Sequence, residues 1–281
     1  MMKIGFHLSI SGGVSSSAAE AAGSGYSAFQ IFVSSSRSWK HSVLGRDDMV
    51  KFKRSVAASG ALPNAHIPYL CNPSSTNRLV LDRSLGMLVN NMNSCSELGI
   101  RYLVVHMGSH LGAGREAGED NLVKTIGSAL DMEKRTSLLL ENSAGYKNSV
   151  GSKFAEIGSI VDRIASSRVG VCLDTCHAFA AGYDLHTDTG TQKCYDEFDS
   201  SIGIGKLKLV HLNDARHPLG SGLDRHWHIG KGFIGMQGFI NFFRNRHFGA
   251  GPFIMETPVD AQGSRMTDMH AALLAMKKAH S

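Results

Sequence analysis

Residues 101–145 read RYLVVHMGSHLGAGREAGEDNLVKTIGSALDMEKRTSLLLENSAG. An apolar run stops at His106, a helical stretch follows over Glu119–Lys134, and a second apolar run stops at Glu141. Runs of this length, rich in Val, Ile and Leu, suit strands buried on both faces. Two such strands joined by a helix lie parallel in one sheet.

The same unit repeats on either side. Toward the N-terminus, IGFHLSI precedes the Ala-rich stretch SSSAAEAAGSG, which has serines to cap it and glycine after it. AFQIFVS precedes the amphipathic RDDMVKFKRSVAASG, and LPNAHIPYL precedes a helical stretch from Leu79 to Leu98. Toward the C-terminus, SLLLENSAG leads to KFAEIGSIVDRIA, and VGVCLDTCH to a helix near Lys193–Ser201. LKLVHLND leads through a long loop to GMQGFINFFRN, and PFIMETP to a helix over Arg265–Lys278. Eight strand–helix units in 281 residues predict an α/β fold. A single (β/α)8 barrel over residues 1–281 fits, since such barrels run to about 250 residues. A doubly wound open sheet is the alternative.

Six of the apolar runs end alike, on His66, His106, Glu141, Asp174 (with His177 just beyond), His211 and Glu256. A lone buried carboxylate or imidazole is costly unless something pairs with it. Barrel active sites sit at the C-terminal ends of the strands, so these residues, far apart in sequence, would converge on one face. Nitrogen and carboxylate donors converging in this way suggest a shared partner, most simply a cluster of metal ions.

Each constellation has a plainer reading beside it. Asp174-Thr-Cys-His177 is also what a hydrogen-bonded Asp–His turn looks like, and Glu141 and Glu256 also suit buried salt bridges to Lys or Arg. The loop GSGLDRHWHIGKG holds Asp224 and His226 at a ligand-like spacing, and His228 behind them. It is not a P-loop, because Gly230-Lys231-Gly232 has no Ser or Thr after the lysine. Arg37-Ser-Trp39-Lys40 and Tyr69 would suit phosphate contact and base stacking, or simple packing. His7 is expected in the core or behind the ligands. His41, His186, His217, His247, His270 and His280 are expected at the surface, and Cys172 and Cys176 as packing residues.

Composition sets outer limits. The net charge of +5 permits a polyanionic partner. No apolar stretch approaches the roughly 18 residues of a membrane span. The N-terminal MMKIGFHLSISGG reads as a strand, not a signal peptide. Five cysteines without a CxxC pair argue for a reducing, intracellular compartment and against a disulfide framework.

Taken in order, IGFHLSISGG, FQIF, HMGSH, ENSAG, VGVCLDTCHAFAAGYD, HLNDA, DRHWHIGKG and FIMETP resemble the motifs of endonuclease IV, the zinc-dependent apurinic/apyrimidinic endonuclease. The likeness covers essentially the whole chain. It implies three zinc ions. The first would be bound by His66, His106 and Glu141. The second would be bound by Glu141 as a bridge with Asp174, His211 and Glu256, and the third by His177, Asp224 and His226. It implies hydrolysis of the DNA backbone 5′ to an abasic site by a metal-bridging hydroxide, with Glu141 helping to orient it. The ends left are a 3′-hydroxyl and a 5′-deoxyribose phosphate. Blocked 3′ ends would also be removed. Arg37 and Tyr69 fall where the family penetrates or lines the damaged duplex. A monomer is implied, acting on duplex DNA and not on membranes, in the cytoplasm at the nucleoid if the source is bacterial. Three positions depart from the pattern: Val33-Ser34-Ser35-Ser36 where relatives often carry Lys-Asn, Met107 where Pro is common, and the bulky Trp227. A sugar isomerase or epimerase on the same barrel, or a non-catalytic DNA-damage binder with structural zinc, are the competing readings.

Overall fold

The structure, a computed structural model, describes residues 2–35, 38–39, 43–259 and 265–281. In chain order the elements are β1 (Ile4–Leu8), α1 (Val14–Gly23), β2 (Ala28–Phe32), α2 (Arg46–Ser59), β3 (Leu62–His66), α3 (Arg78–Leu98) and β4 (Tyr102–His106). Next come α4 (Arg115–Met132), β5 (Ser137–Glu141), α5 (Phe154–Ile164), β6 (Val169–Asp174), α6 (Thr175–Ala180), α7 (Asp188–Ser201) and β7 (Leu207–His211). The last are β8 (Asp214–Ala215), β9 (His226–Trp227), α8 (Gly235–Arg244), β10 (Phe253–Met255) and α9 (Met266–Ala279).

Eight parallel strands close in the order β1-β10-β7-β6-β5-β4-β3-β2. First and last strands pair directly, Ile4 with Phe253 and Phe6 with Met255, which excludes the open sheet. Successive side chains on a strand point to opposite faces. One phase carries Ala28, Val104, Leu139, Cys172, Leu209 and Ile254, all fully buried in a small cluster of their own, the filling of the barrel. The other phase packs outward into a much larger core shared with the helices. In α5, Phe154, Ile157, Ile160 and Val161 form one buried stripe, each contributing roughly 1.5–3 kcal/mol of burial. Among the described residues, no helix is long and apolar enough to cross a membrane.

The inner phase explains the strand ends. Counting two residues on from an inner filler gives His106 after Val104, Glu141 after Leu139, Asp174 after Cys172, His211 after Leu209, and Glu256 after Ile254. The candidate residues are therefore the top layer of the barrel's own interior.

Local departures from expectation have clear causes. Helix α1 is not capped by its serines: its N-cap is Gly13, with no side-chain hydrogen bond. The cap arrives from α2, where Asp48 accepts from the Val14 N–H at 2.8 Å and the Ser15 N–H at 3.0 Å. Gly13 has φ 92°, and a Cβ there would stand 2.8 Å from the Asp48 carboxylate. Helix α4 starts at Arg115 rather than Glu119. Helix α7 starts at Asp188 rather than Lys193, because Thr187 caps it by accepting from the Gly190 N–H.

Burial alone would raise the Asp48 carboxyl; the hydrogen bonds from Ser15 and Val14 more than offset this and hold it below its ordinary value. Asp48→Ala is expected to destabilise the protein by about 0.5–2 kcal/mol, as loss of a helix cap does. A carboxyl depressed in the folded state stabilises above its unfolded pKa. The difference between wild type and variant in thermal melts should therefore be full at neutral pH and shrink below about pH 4.

Candidate metal centre

Glu141, at the end of β5, is buried in the middle of the barrel mouth. Its two oxygens face different neighbours. Oε2 lies 3.1 Å from His66 Nε2 and 3.2 Å from His106 Nδ1. Oε1 lies 2.8 Å from His211 Nδ1 and 3.5 Å from His177 Nδ1. Donor atoms of His66, His106 and Glu141 come within 4.8 Å of one another, as do those of Glu141, Asp174, His211 and Glu256. Among the described residues no Lys or Arg pairs with Glu141, Asp174, Asp224 or Glu256, so the salt-bridge reading of the glutamates fails.

The neighbours of the imidazoles settle which nitrogen is free. His66 Nδ1 donates to the Ile67 carbonyl at 2.7 Å, leaving Nε2 toward Glu141. His177 Nδ1 donates to the Asn142 carbonyl at 3.0 Å, leaving Nε2. Burial pushes His106 down to about 4, so its imidazole is neutral at pH 7. For His177 and His211 burial also acts downward, but Asp174 beside the first, and Cys172, Glu256 and Glu141 beside the second, hold them well above the ordinary value. Burial would raise Glu141, and the His106 and His211 imidazoles hold it well below. The cluster thus has more buried negative charge than uncharged imidazoles can balance. Protons on His177 and His211 compensate, and a cation would do so in their place.

A third donor set lies beside the first two. Asp174, His177 and His226 bring donor atoms within 4.8 Å of one another. Asp224 Oδ1 is 3.1 Å from His177 Nε2 and 3.4 Å from His226 Nε2. Both nitrogens are buried, and neither has a hydrogen-bond partner of acceptable geometry. Orphaned imidazole nitrogens facing carboxylates are what a metal ion would satisfy. Asp174 is held by three groups: its Oδ1 accepts from the His177 N–H at 2.8 Å, its Oδ2 from Asn213 Nδ2 at 2.7 Å, and its N–H donates to Asn142 Oδ1. Its Oδ1 contact caps α6, a short helix that the apolar pattern did not announce and that swings His177 inward.

Asp224 and His226 reach the site because their loop is pinned at two buried carboxylates. Asp214 accepts from the N–H groups of Gly230 and Gly232, both at 2.9 Å, and of Ile234 at 3.0 Å. Asp268, on α9, accepts from His228 Nδ1 at 2.9 Å, the Ile229 N–H at 2.8 Å and the Thr257 hydroxyl at 2.8 Å. The β8–β9 hairpin, pairing Ala215 with His226, completes the frame. His228 is therefore a tie for the loop and stands outside the donor sets. His226 and Trp227 point to opposite sides of β9; Trp227 stacks under the Arg216 guanidinium at 4.7 Å.

A cavity of about 330 Å³ opens above the cluster, lined by Tyr69, His106, His177, Asp224, Arg225, His226 and Glu256. Tyr69 is exposed, its ring stacked 5.9 Å from that of His106. Trp39 packs partly buried against the core, with Arg83 over its ring at 6.0 Å. Arg37, Lys40 and His41 lie outside the described residues. His7 stands behind the cluster, 3.0 Å from Glu256 Oε1. Cys172 and Cys176 are buried, and burial pushes the Cys172 thiol up to about 12. Met107 is buried against Gly151, where a Cβ would stand 1.9 Å from its methyl group. Sequence reasoning passed over Gln30, Asn142, Asn213, Asp214 and Asp268; the polar Gln30 inside the apolar run AFQIF was the one visible signal.

The family profile described as "Xylose isomerase-like TIM barrel" matches residues 18–279. The "Probable endonuclease 4" of Cenarchaeum symbiosum (strain A) is 44% identical over 275 residues, 96% of this chain and 98% of that protein. The chain belongs to the endonuclease IV family. The "Probable endonuclease 4" of Methanoculleus marisnigri is 45% identical over 94% of this chain and 95% of its own length. Among solved structures, endonuclease IV from Thermus thermophilus has a TM-score of 0.87 at 32% identity, covering 98% of this chain and 99% of that one. A D-tagatose 3-epimerase-like protein has a TM-score of 0.74 at 18% identity, covering both chains fully, a likeness of fold alone.

The pinned loop yields a test. Asp214→Ala leaves the part-buried N–H groups of Gly230 and Gly232 and the buried one of Ile234 without their acceptor, at a cost of about 1–3 kcal/mol for such a loss. The expected outcome is rapid hydrogen exchange at those three amides, with β5 and α5 protected as in wild type.

Proposed function

We propose that this chain is a DNA repair endonuclease that hydrolyses the phosphodiester bond 5′ to abasic sites in duplex DNA. On this reading it leaves 3′-hydroxyl and 5′-deoxyribose phosphate ends and removes 3′-blocking groups. All 281 residues act as one monomeric domain. The observation that carries the reading is the split environment of Glu141, whose two oxygens face separate donor sets. That is the arrangement a bridging carboxylate needs. The names and extent of the relatives support a DNA substrate, and a net charge of +5 suits one.

The donors fit zinc: imidazole nitrogens and carboxylate oxygens gathered within ligand distance of one another. His66, His106 and Glu141 would hold one ion, and Glu141, Asp174, His211 and Glu256 a second. His177, Asp224 and His226 would hold a third. Bound zinc ions supply acidified water at neutral pH and neutralise charge on a phosphate.

The chain's own groups do the rest. Glu141 holds the two donor sets in register and offers a carboxylate to accept and orient a water proton. Asp174 is clamped by Asn142 and Asn213, so the wall between the second and third sets stays rigid. Tyr69 presents an exposed ring at the cavity mouth, suited to the gap an abasic nucleotide leaves in the stack. Arg225, also on the cavity wall, suits a backbone phosphate. Arg37 is proposed to contact the same duplex. The third donor set supports this reading over sugar isomerisation, which has no use for it.

Metal analysis paired with cleavage of an abasic duplex tests the proposal. Near three zinc ions per chain and a 5′ incision are expected; one or two metals with no incision would sink it. Glu141→Gln should lower cleavage by about 10²–10³-fold, the scale of losing one preorganised charge-stabilising group, with abasic-DNA binding largely intact. Cleavage should persist in EDTA sufficient to stop magnesium nucleases and fail after prolonged treatment with a strong zinc chelator. Strict dependence on added magnesium would contradict the assignment.

A further inference from the structure

Gln30 is the one fully buried amide side chain on β2's inner phase, between Ala28 and Phe32, below the mouth of the barrel. It touches two of the candidate ligands at once. Its Nε2 lies 2.9 Å from Glu256 Oε1. Its Oε1 lies 2.9 Å from His211 Nε2. A carboxylate oxygen only accepts, so the amide must present its NH2 group to Glu256. Turning the amide over would set two oxygens against each other at the same distance. His7 Nδ1, 3.0 Å from the same Glu256 oxygen, also donates to it. The 3.0 Å between Gln30 Nε2 and His7 Nδ1 follows from two donors converging on one acceptor.

This orientation has consequences for both ligands. With its oxygen facing His211, Gln30 requires a proton on His211 Nε2. When a cation takes the place of the second proton, the lone pair falls on Nδ1, the atom 2.8 Å from Glu141 Oε1 and 3.4 Å from Glu256 Oε2. On Glu256, Oε1 is occupied by Gln30 and His7, which leaves Oε2 directed toward His211 Nδ1 and the rest of the cluster. One neutral amide thus selects the free atom on two residues from different strands.

We propose that Gln30 is a positioning residue that sets the tautomer of His211 and the free oxygen of Glu256, so that both present one donor to the metal shared with Asp174 and Glu141. The inference rests on the metal-centre reading above and adds a specific control to it. Outer partners of metal ligands typically carry about 10–100-fold in metal affinity. Gln30→Met nearly keeps the volume and removes both hydrogen bonds. Gln30→Glu keeps the acceptor facing His211 but places an oxygen against Glu256.

The experiment follows metal release from the zinc-loaded protein to a chromophoric chelator, with ¹⁵N NMR of the histidine side chains. In both variants one class of metal should leave about 10–100-fold faster than in wild type, with the remaining metal leaving at the wild-type rate. The His211 Nε2–H signal should persist in Gln30→Glu and be lost or shifted in Gln30→Met. Circular dichroism of the two variants before loading identifies a folding defect, and either folded variant suffices for the release test. Release of every metal at the wild-type rate from a folded variant would overturn the role of Gln30 alone. A wild-type chain that retains no metal would overturn the metal-centre reading, and this one with it.

Discussion

Glu141 and Asp174 are buried at the inner end of a closed barrel, with Glu256 close beside them, and no lysine or arginine among the described residues pairs with any of the three. That constraint organises the rest of the site. Uncompensated buried charge is among the costliest things a fold can hold. Here it is offset by imidazoles, which can carry a proton or yield their lone pair to a cation. The same residues therefore hold the metal-free protein together and prepare it for metal. The raised pKa of His177 and His211 and the depressed pKa of Glu141 are two sides of this one arrangement.

A cluster of this kind works only if each donor atom is aimed, and most of the aiming is done by neutral groups. Main-chain carbonyls at Ile67 and Asn142 fix His66 and His177. Asn213 joins Asp174 to β10 by donating to its carboxylate and accepting from the Glu256 N–H at 2.8 Å. Neutral partners orient without adding charge to an environment that has no room for it. The two carboxylates that pin the long loop, Asp214 and Asp268, are kept apart from the cluster. Asp214 is satisfied by backbone N–H groups, and Asp268 by one N–H, a hydroxyl and His228, so neither adds a charge to the donor sets.

Much of this was legible in one dimension because parallel barrel strands are short and apolar and end abruptly. A polar residue at the end of such a run is conspicuous, and all six strand-end positions do converge. What escaped notice was polar chemistry within a run or beyond it. Gln30 sits mid-strand, where a single amide among Ala, Phe and Ile is visible but has no strand end to single it out. Asp214 follows His211 closely and reads as part of a turn, yet beyond the adjacent Ala215 N–H its partners are Gly230, Gly232, Ile234 and Gly235, far downstream. The α1 cap is another case: the serines expected to cap it fall inside its first turn, and Asp48 of α2 reaches its N-terminus instead.

The sequence by itself determined the alternation of strands and helices, the barrel, and the residue types gathered at its mouth. Hydrophobic period and residue chemistry are local properties that survive without coordinates. Only the tertiary structure decided which strand phase faces inward, which Glu141 oxygen meets which imidazoles, and how Asp214 and Asp268 pin the loop that carries Asp224 and His226. Each of these depends on ring closure and on hydrogen bonds between residues distant in the chain. Spacing along the chain carries no information about such bonds until the barrel brings their partners together.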